Sequence, residues 1–573
     1  MVREVKRSVV LVGFSGSGKS TVVSRLAQNS SLKVIDLDAQ IALMVGKSVS
    51  EFIRVEGEPE FRLKEREALG AALESNADVI AAGGGILTVP ETAALIEERC
   101  LLVELSASAE TLAERTVADE RRARDEGLTQ VRPLLFADGR TDMAEVVERI
   151  NQMLARRRSG YSRAKVRIAT DWASAEDIAS TLGLFAGDGL GAHRAAVTEA
   201  LSVMPARFDP TGPLSELVIG SNLVEALPVM IKARMPKVAR VAVVTDEAIG
   251  RHWREPVVQW LKAGGVDASA FTVPSGESSK TLSRLEELGQ SLLESGFTRS
   301  DAVLALGGGV VGDLGGLLAS LFMRGVPLIQ VPTTLLAQVD SAIGGKTGVN
   351  LEGGKNSLGT FHPALLVLSD PRFFSTLPER EFRSGLAEVV KYGLIWSAEF
   401  LNWFEQSVDS ILSREPDAML KIVESSSRAK LNFVLGDLKD LTGRRAILNF
   451  GHTVGHAVER LAGYGELLHG EAIAIGMCAA LRLSAAQGWA DRELVERAQK
   501  LLSQLGLPTQ LPAELTLAEG DSGVSLVKWR ESLLADKKRV STDLDFVVVE
   551  APGKARVERV PLSLILQSIS GSI

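Results

Sequence analysis

The sequence predicts an α/β multidomain fold: parallel sheets with crossover helices, followed by a mainly helical region. Three observations predict it. At 573 residues the chain is too long for one core and divides into three or four folding units. Short β-branched runs alternate with helical patterns, as in parallel strands joined by helices. A strand–glycine turn–helix device also appears twice. Gly13-Phe-Ser-Gly-Ser-Gly18-Lys19-Ser20 follows the apolar run Val9–Val12, and Gly307-Gly308-Gly309-Val-Val-Gly312-Asp313 follows Ala302–Leu306.

In chain order, strands are predicted at Val9–Val12, Lys33–Ile35, Val79–Ala81, Leu101–Leu105 and Val166–Ile168, so that residues 1–182 form a five-stranded parallel domain. The glycine-rich stretch 183–196 reads as a linker. A second α/β series begins near Leu217 with LVIGS and continues through VARVAVVTD, DAVLALGGG and PLIQVPTT. Residues 197–370 are its extent. After Pro378 long amphipathic helices dominate, making 371–573 mainly helical up to a strand-like tail at Asp545–Glu550.

Composition narrows the function classes. Apolar residues make up 45% of the chain and charged residues 24%, which is ordinary for a globular protein. The net charge of −8 offers no basic surplus for nucleic acid, so anionic ligands have to be gripped by local Arg and Lys clusters. Cys100 and Cys478 read as buried thiols in a reducing compartment. The N-terminus lacks the apolar core of a signal peptide, and no apolar run reaches membrane-spanning length. The expectation is a cytoplasmic protein with no membrane partner.

The first loop is the Walker A pattern. Its backbone N–H groups form an anion nest at a helix start, with Gly13, Gly16 and Gly18 supplying the turn. Lys19 reaches the β- and γ-phosphates of a nucleotide, and Ser20, followed by Thr21, supplies a hydroxyl for Mg²⁺. A bare glycine turn would need neither Lys19 nor Ser20. Asp36-Leu37-Asp38 follows the second strand, and two carboxylates alternating on a strand end would point the same way, toward the metal and a polyol acceptor. Farther on come Gly57-Glu58-x-x-Phe61-Arg62-x-x-Glu65, Gly83-Gly84-Gly85, Arg132-Pro133-Leu134-Leu135 and Arg157-x-x-x-Tyr161. With these motifs in order, residues 8 to about 182 resemble a shikimate kinase.

That resemblance implies that Asp38, Arg62, Gly84, Gly85 and Arg157 hold shikimate, with the arginine forks on its carboxylate. Asp38 would accept the proton of the attacking hydroxyl, and Asp36 would hold Mg²⁺ in its outer sphere. Arg132 would close on the transferring phosphates, and Arg115 would lie beside adenine. Two departures from the family pattern touch the lid and the adenine side. The segment VADERRARDEGLTQV is long and charged, and the loop ATDWASAED lacks an Arg-Pro element.

The second loop satisfies GxGxxG, but no acid follows at the spacing a standard dinucleotide fold needs for the ribose. Asp246 instead ends an earlier strand, and Gly276-Glu277-x-x-Lys280 follows the next. Three of the six histidines fall in Gly451-His452-Thr-Val-Gly-His456 and Leu468-His469-Gly-Glu471, while Glu388 and Lys391 share a helix face. A carboxylate with imidazoles and no cysteine suits a catalytic Zn²⁺. Spacing alone favours His452 and His456 as the metal pair. GGGVVGD, MRGVPLIQVPTTLLAQVDSAIGGKTGVN, GKNSLGTFHP, AEVVKYG, LNFGHTVGHAVE, LHGEAIAIGM and ADKK make residues from about 195 to 573 resemble a 3-dehydroquinate synthase.

This second resemblance implies Zn²⁺ or Co²⁺ on Glu388, His452 and His469. His456 then joins Lys346, Asn350, Lys391, Arg445, Asn449, Arg324 and Lys537-Lys538 on the side of an acidic sugar phosphate. Asp246, Glu277, Lys280, Gly309, Asp313, Thr333, Thr334, Asp340, Lys346 and Lys355 would contact NAD⁺. The stretch Asp437 to Arg445 departs from the acidic pattern expected there. The two resemblances together imply a bifunctional enzyme using ATP, Mg²⁺, NAD⁺ and a transition metal, with the synthase region a homodimer. Three alternatives stand beside it: a P-loop module that only senses nucleotide, a metal-dependent polyol dehydrogenase, or another sugar-phosphate cyclase.

Overall fold

The computed structural model describes residues 7–125, 133–136, 142–186, 200–209, 211–352, 354–438, 443–463, 465–516, 524–534 and 543–570. Contacts divide the chain into two compact units, residues 1–207 with 213–237, and residues 208–212 with 238–573.

In the first unit, β1 (Ser8–Gly13), β2 (Val34–Asp36), β3 (Val79–Ala81), β4 (Cys100–Ser106) and β5 (Val166–Ala169) form the predicted parallel sheet in the order β2-β3-β1-β4-β5. The centre of β1, Val9–Val12, is fully buried, because helices cover both faces of a parallel sheet. The sheet then continues past the predicted domain end. β6 (Leu201–Ala206) pairs parallel with β5, and β7 (Ser215–Gly220) returns antiparallel to β6. The LVIGS run that opens the second sequence series is thus β7, and contacts place it with the first unit.

Polar side chains fasten this extension. Arg207 pairs with Asp177 at 2.6 Å, and Asp177 also completes a capping box with Ser174 at the start of helix Ala175–Gly183. Buried Glu216 accepts from Thr181 and pairs with Arg234.

The second unit holds β8 (Arg240–Asp246), β9 (Asp267–Val273), β10 (Ala302–Gly307), β11 (Leu328–Pro332) and β14 (Leu366–Ser369) as a parallel sheet, in the order β14-β11-β10-β8-β9. The glycine loop turns β10 into helix Gly309–Leu321. A hairpin of β12 (Lys346–Leu351) and β13 (Gly354–Phe361) contacts this helix. The predicted tail strand lies in β15 (Asp543–Ala551), paired with β16 (Lys554–Pro561).

Three helices form the heart of the helical part. Glu379–Ile395 is buried along almost its whole length from Phe382. His452–Ala462 and His469–Ala486 pack on one another and start, respectively, after a left-handed Gly451 and at His469 itself. Their approach depends on glycine. A Cβ on Gly476 would lie 2.0 Å from the Gly451 carbonyl oxygen, so no larger residue fits without separating the helices.

Candidate active sites

In the first unit the site is built around the glycine run after β3. A Cβ on Gly85 would lie 2.0 Å from Arg62 Nη2. One on Gly84 would meet the Tyr161 hydroxyl at 2.4 Å, the Gly13 carbonyl at 2.9 Å and Arg157 Nη1 at 3.3 Å. One on Gly83 would meet Glu65 at 3.2 Å and Asp38 at 3.9 Å. Side chains widely separated in sequence therefore converge on a floor that only glycine keeps open. Arg62 is held by Glu65 at 2.6 Å and Glu58 at 2.8 Å, and Arg157 lies over the Phe14 ring.

Burial and nearby Asp36 raise the Asp38 pKa against the pull of Lys19 and Arg62, which suits a proton acceptor. The expectation that Asp36 and Asp38 alternate on a strand end does not hold. β2 ends at Asp36, whose carboxylate caps the next helix by accepting from the Asp38 and Ala39 amides, so Asp38 lies in that helix's first turn. The turn of the helix, not the pleat, sets its direction.

Lys19 folds back on its own loop, donating to the carbonyls of Gly13 at 2.6 Å and Phe14 at 3.3 Å. Gly16 and Gly18 both adopt left-handed φ, and Ser20 and Thr21 are exposed at the helix start. Arg115 donates to the Thr170 carbonyl at 2.6 Å, to its hydroxyl at 2.9 Å and to the Gly16 carbonyl at 3.4 Å, joining the P-loop to the end of β5. Arg132 lies outside the described residues. Glu65 and Tyr161 stand in motifs quoted from the sequence but received no role there. Their burial at the glycine floor shows how close they lie to the site.

In the second unit, Glu388, His452 and His469 come together. Nε2 of His452 and Nε2 of His469 each lie 3.5 Å from Glu388 Oε1. The Glu388 side chain is 1% exposed, paired with the Lys391 ammonium and facing these two imidazoles. A buried carboxylate facing two imidazole nitrogens fits a divalent cation. The pair that spacing alone favoured is corrected. Among the described residues, the groups able to share a metal are Glu388/His452/His469 and His456/Glu459/His469, and neither contains both His452 and His456. The rings of those two histidines stand edge-on at 5.3 Å.

Charge in this pocket is finely balanced. Burial and Lys391 depress the His452 pKa to about 3, leaving a neutral ring that can ligate. Burial alone would lower His469, but its contacts with Glu388 and Glu459 prevail and hold it up at about 9, so ligation there displaces a proton. Glu388 is held well below the usual carboxylate range, because Lys391 and the two imidazoles outweigh its burial.

Lys391 also donates to the Leu448 carbonyl at 2.9 Å and lies 4.0 Å from Asp340. Asp340 accepts from Lys430 at 2.8 Å and Tyr392 at 2.5 Å; despite burial, Lys430 and Lys391 hold its pKa at about 2. Lys430 and Tyr392 were not among the sequence candidates. Lys430 sits in an unremarkable helical run, SSSRAKLNFV, and only packing reveals it.

The remaining candidates sort by place. Lys280 pairs with Asp313 at 2.7 Å and donates to Asn356, while Asn350 donates to Glu277 at 2.8 Å, forming one polar cluster. Asp246 caps the helix after β8. Thr333 is buried with an unsatisfied hydroxyl, and Thr334 and Gly309 flank the loop after β10. Buried Arg445 places Nη2 3.3 Å from a Cβ built on Gly344. Lys346 and Asn449 are exposed. Arg324, in a left-handed turn beside an equally left-handed Met323, is also exposed. Lys537 and Lys538 lie outside the described residues.

Known proteins match both regions. Residues 270–384 match the 3-dehydroquinate synthase N-terminal family and 385–539 its C-terminal family. A 3-dehydroquinate synthase of Desulforamulus reducens is 42% identical over 325 residues, 57% of this chain and 88% of the relative. The chain belongs to the 3-dehydroquinate synthase family. A second synthase, from Nostoc punctiforme, is 43% identical over 354 residues, 61% of this chain and 94% of that one. Residues 15–184 match the shikimate kinase family, so a kinase region is fused ahead of the synthase region.

Among solved structures, a 2-deoxy-scyllo-inosose synthase complexed with carbaglucose-6-phosphate, NAD⁺ and Co²⁺ is 25% identical, with a TM-score of 0.57 over 64% of this chain and 99% of its own. A 2-epi-5-epi-valiolone synthase from Streptomyces hygroscopicus, with NAD⁺ and Zn²⁺ bound, is 28% identical, with a TM-score of 0.56 over 62% of this chain and 96% of its own.

Proposed function

We propose that this chain is a bifunctional enzyme of the shikimate pathway. It phosphorylates shikimate with ATP, and it converts 3-deoxy-D-arabino-heptulosonate 7-phosphate to 3-dehydroquinate with release of phosphate. The observation that carries the reading is the presence, in one polypeptide, of a glycine floor ringed by Asp38, Arg62 and Arg157 and of the Glu388/His452/His469 group. The higher identity to dehydroquinate synthases than to the other two cyclases favours that substrate. Residues 1–182 and 197–573 are the proposed extents of the two regions.

In the kinase region, Arg62 and Arg157 grip the substrate carboxylate and Asp38 takes the hydroxyl proton. Lys19 exchanges its loop carbonyls for phosphate oxygens, while Ser20, with Asp36 behind it, would hold Mg²⁺. Arg132 is proposed to close on the transferring phosphates, and Arg115 to stand at the adenine side.

In the synthase region, Glu388, His452 and His469 would hold Zn²⁺ or Co²⁺, which supplies Lewis-acid polarisation of a substrate hydroxyl, while NAD⁺ supplies reversible hydride acceptance. Lys391 and Arg445, joined by Lys430, present buried cations to the acidic substrate. Lys346, Asn350, Asn449, His456, Arg324, Lys537 and Lys538 complete the proposed binding set. The cluster of Glu277, Lys280 and Asp313, with Asp246, Gly309, Thr333, Thr334 and Lys355, is proposed to face the dinucleotide. Asp340 fits the buried lysine cluster better than a cofactor contact.

We further propose a cytoplasmic homodimer. Both described cysteines are free and buried, and among the described residues no helix is long and apolar enough to cross a membrane. The deciding experiment assays the purified full chain with both substrates. Chelation followed by Mg²⁺ should preserve shikimate phosphorylation and abolish phosphate release from the heptulosonate. Retention of both activities would refute the metal assignment, and absence of shikimate-dependent ATP consumption would refute the kinase.

A further inference from the structure

We propose that Glu459 is the positioning residue of His469, fixing the ring so that Nε2 rather than Nδ1 is offered to the metal. The inference rests on the proposed metal site. Both ligand histidines turn Nε2 toward Glu388 Oε1, so each must have its Nδ1 held from behind. His452 Nδ1 lies 3.1 Å from the Phe450 carbonyl, a neutral acceptor two residues away. His469 is the first residue of its helix and has a carboxylate instead: Nδ1 lies 3.6 Å from Glu459 Oε2.

Glu459 is two helical turns beyond His452, is nearly buried, and is balanced on its other oxygen by Lys355 from β13 at 3.6 Å. A carboxylate behind a ligand imidazole keeps the proton on the far nitrogen, strengthens the near one as a donor and locks the ring plane. On the opposite side Lys355 ties Glu459 to the hairpin. Glu459 nevertheless also satisfies the spacing for direct ligation with His456 and His469, so the test has to separate a ligand from a positioning group.

The test uses the full chain, stripped of metal by chelator and titrated with Co²⁺. Visible d–d absorption and equilibrium dialysis are the readouts, and shikimate phosphorylation and apo-protein melting serve as folding controls. Glu459→Gln should weaken Co²⁺ binding by about 10- to 100-fold while leaving the d–d band position unchanged. Glu459→Asp, which keeps the charge, should recover most of that loss. Binding by Glu459→Gln within twofold of the parent would overturn the proposal. So would a displaced d–d band, which would make Glu459 a ligand. If Glu459→Gln melts early, the Glu459→Asp titration decides: parent-like affinity upholds the charge role, and a loss as great as that of an alanine variant overturns it. Failure of the parent itself to bind Co²⁺, or of Glu388→Gln to lose it, would instead refute the metal reading beneath.

Discussion

The two pockets solve the same problem, gripping an anion, with opposite architectures. In the kinase region the cations sit on loops and helix ends, and ordinary internal partners occupy them: Lys19 by its own loop carbonyls, Arg62 by Glu58 and Glu65. In the synthase region the charges stand on packed helices and are buried together, with Glu388, Lys391, Asp340 and Lys430 forming one network. The first pocket can exchange partners when ligand arrives, at little cost in packing. The second is organised by its own packing, its buried carboxylates and ammoniums already paired with one another. The contrast teaches that a P-loop pocket is tuned through its loops and a metal pocket through its helices.

The sharpest way to break the comparison is Glu388→Gln. It removes the buried anion of the proposed metal site, and with it several kcal/mol of the Lewis-acid stabilisation that site would supply. Phosphate release should fall by about three orders of magnitude. Shikimate phosphorylation by the same protein should be unchanged, and coupled assays on one preparation read both; a parallel loss would mean the two pockets are not independent.

Gly85→Ala is the reciprocal probe. Its methyl group would occupy the place of the Arg62 guanidinium, so KM for shikimate should rise about 10- to 100-fold, with phosphate release untouched. A normal shikimate KM would remove Arg62 from the binding set.

Gly476→Ala tests whether helix contact, not ligand chemistry, holds the metal pocket together. A clash with the Gly451 carbonyl should destabilise the synthase region by about 1–3 kcal/mol, visible as an earlier melting transition.

The smallest effect is expected for Arg207→Ala, which strips Asp177 of its partner and, because solvent screens the partly exposed arginine, should cost the first unit about 1 kcal/mol. Despite burial, Arg207 and Ser174 depress the Asp177 pKa. The contribution is therefore fully present above the unfolded value near ~3.9 and is lost as pH falls through the lower folded value. Chemical denaturation should show the variant's deficit at pH 7 shrinking as the solution is acidified below about pH 4. A deficit independent of pH would assign Arg207 a packing role alone.

Local signals accounted for much of this protein. Glycine turns, the strand runs of both sheets and the residue types for phosphate, carboxylate and metal chemistry all announce themselves over short spans, because backbone geometry and side-chain chemistry are local properties. The Walker lysine and the Gly83–Gly85 loop were legible for that reason. The metal group was not legible from spacing, which pointed to His452 and His456. One helical turn puts two rings on one face, yet the donor atoms that meet come from three different helices. Nor could spacing show that Asp38 lies in a helix because Asp36 caps it, that Lys430 is buried against Asp340, or that the hairpin β6–β7 extends the first unit's sheet. By itself the sequence determined which chemistry was available and on which kinds of element. Only the tertiary structure decided which donors share a pocket and which face away, because that depends on how closely helices approach at Gly451 and Gly476 and on which neighbours bury each charge.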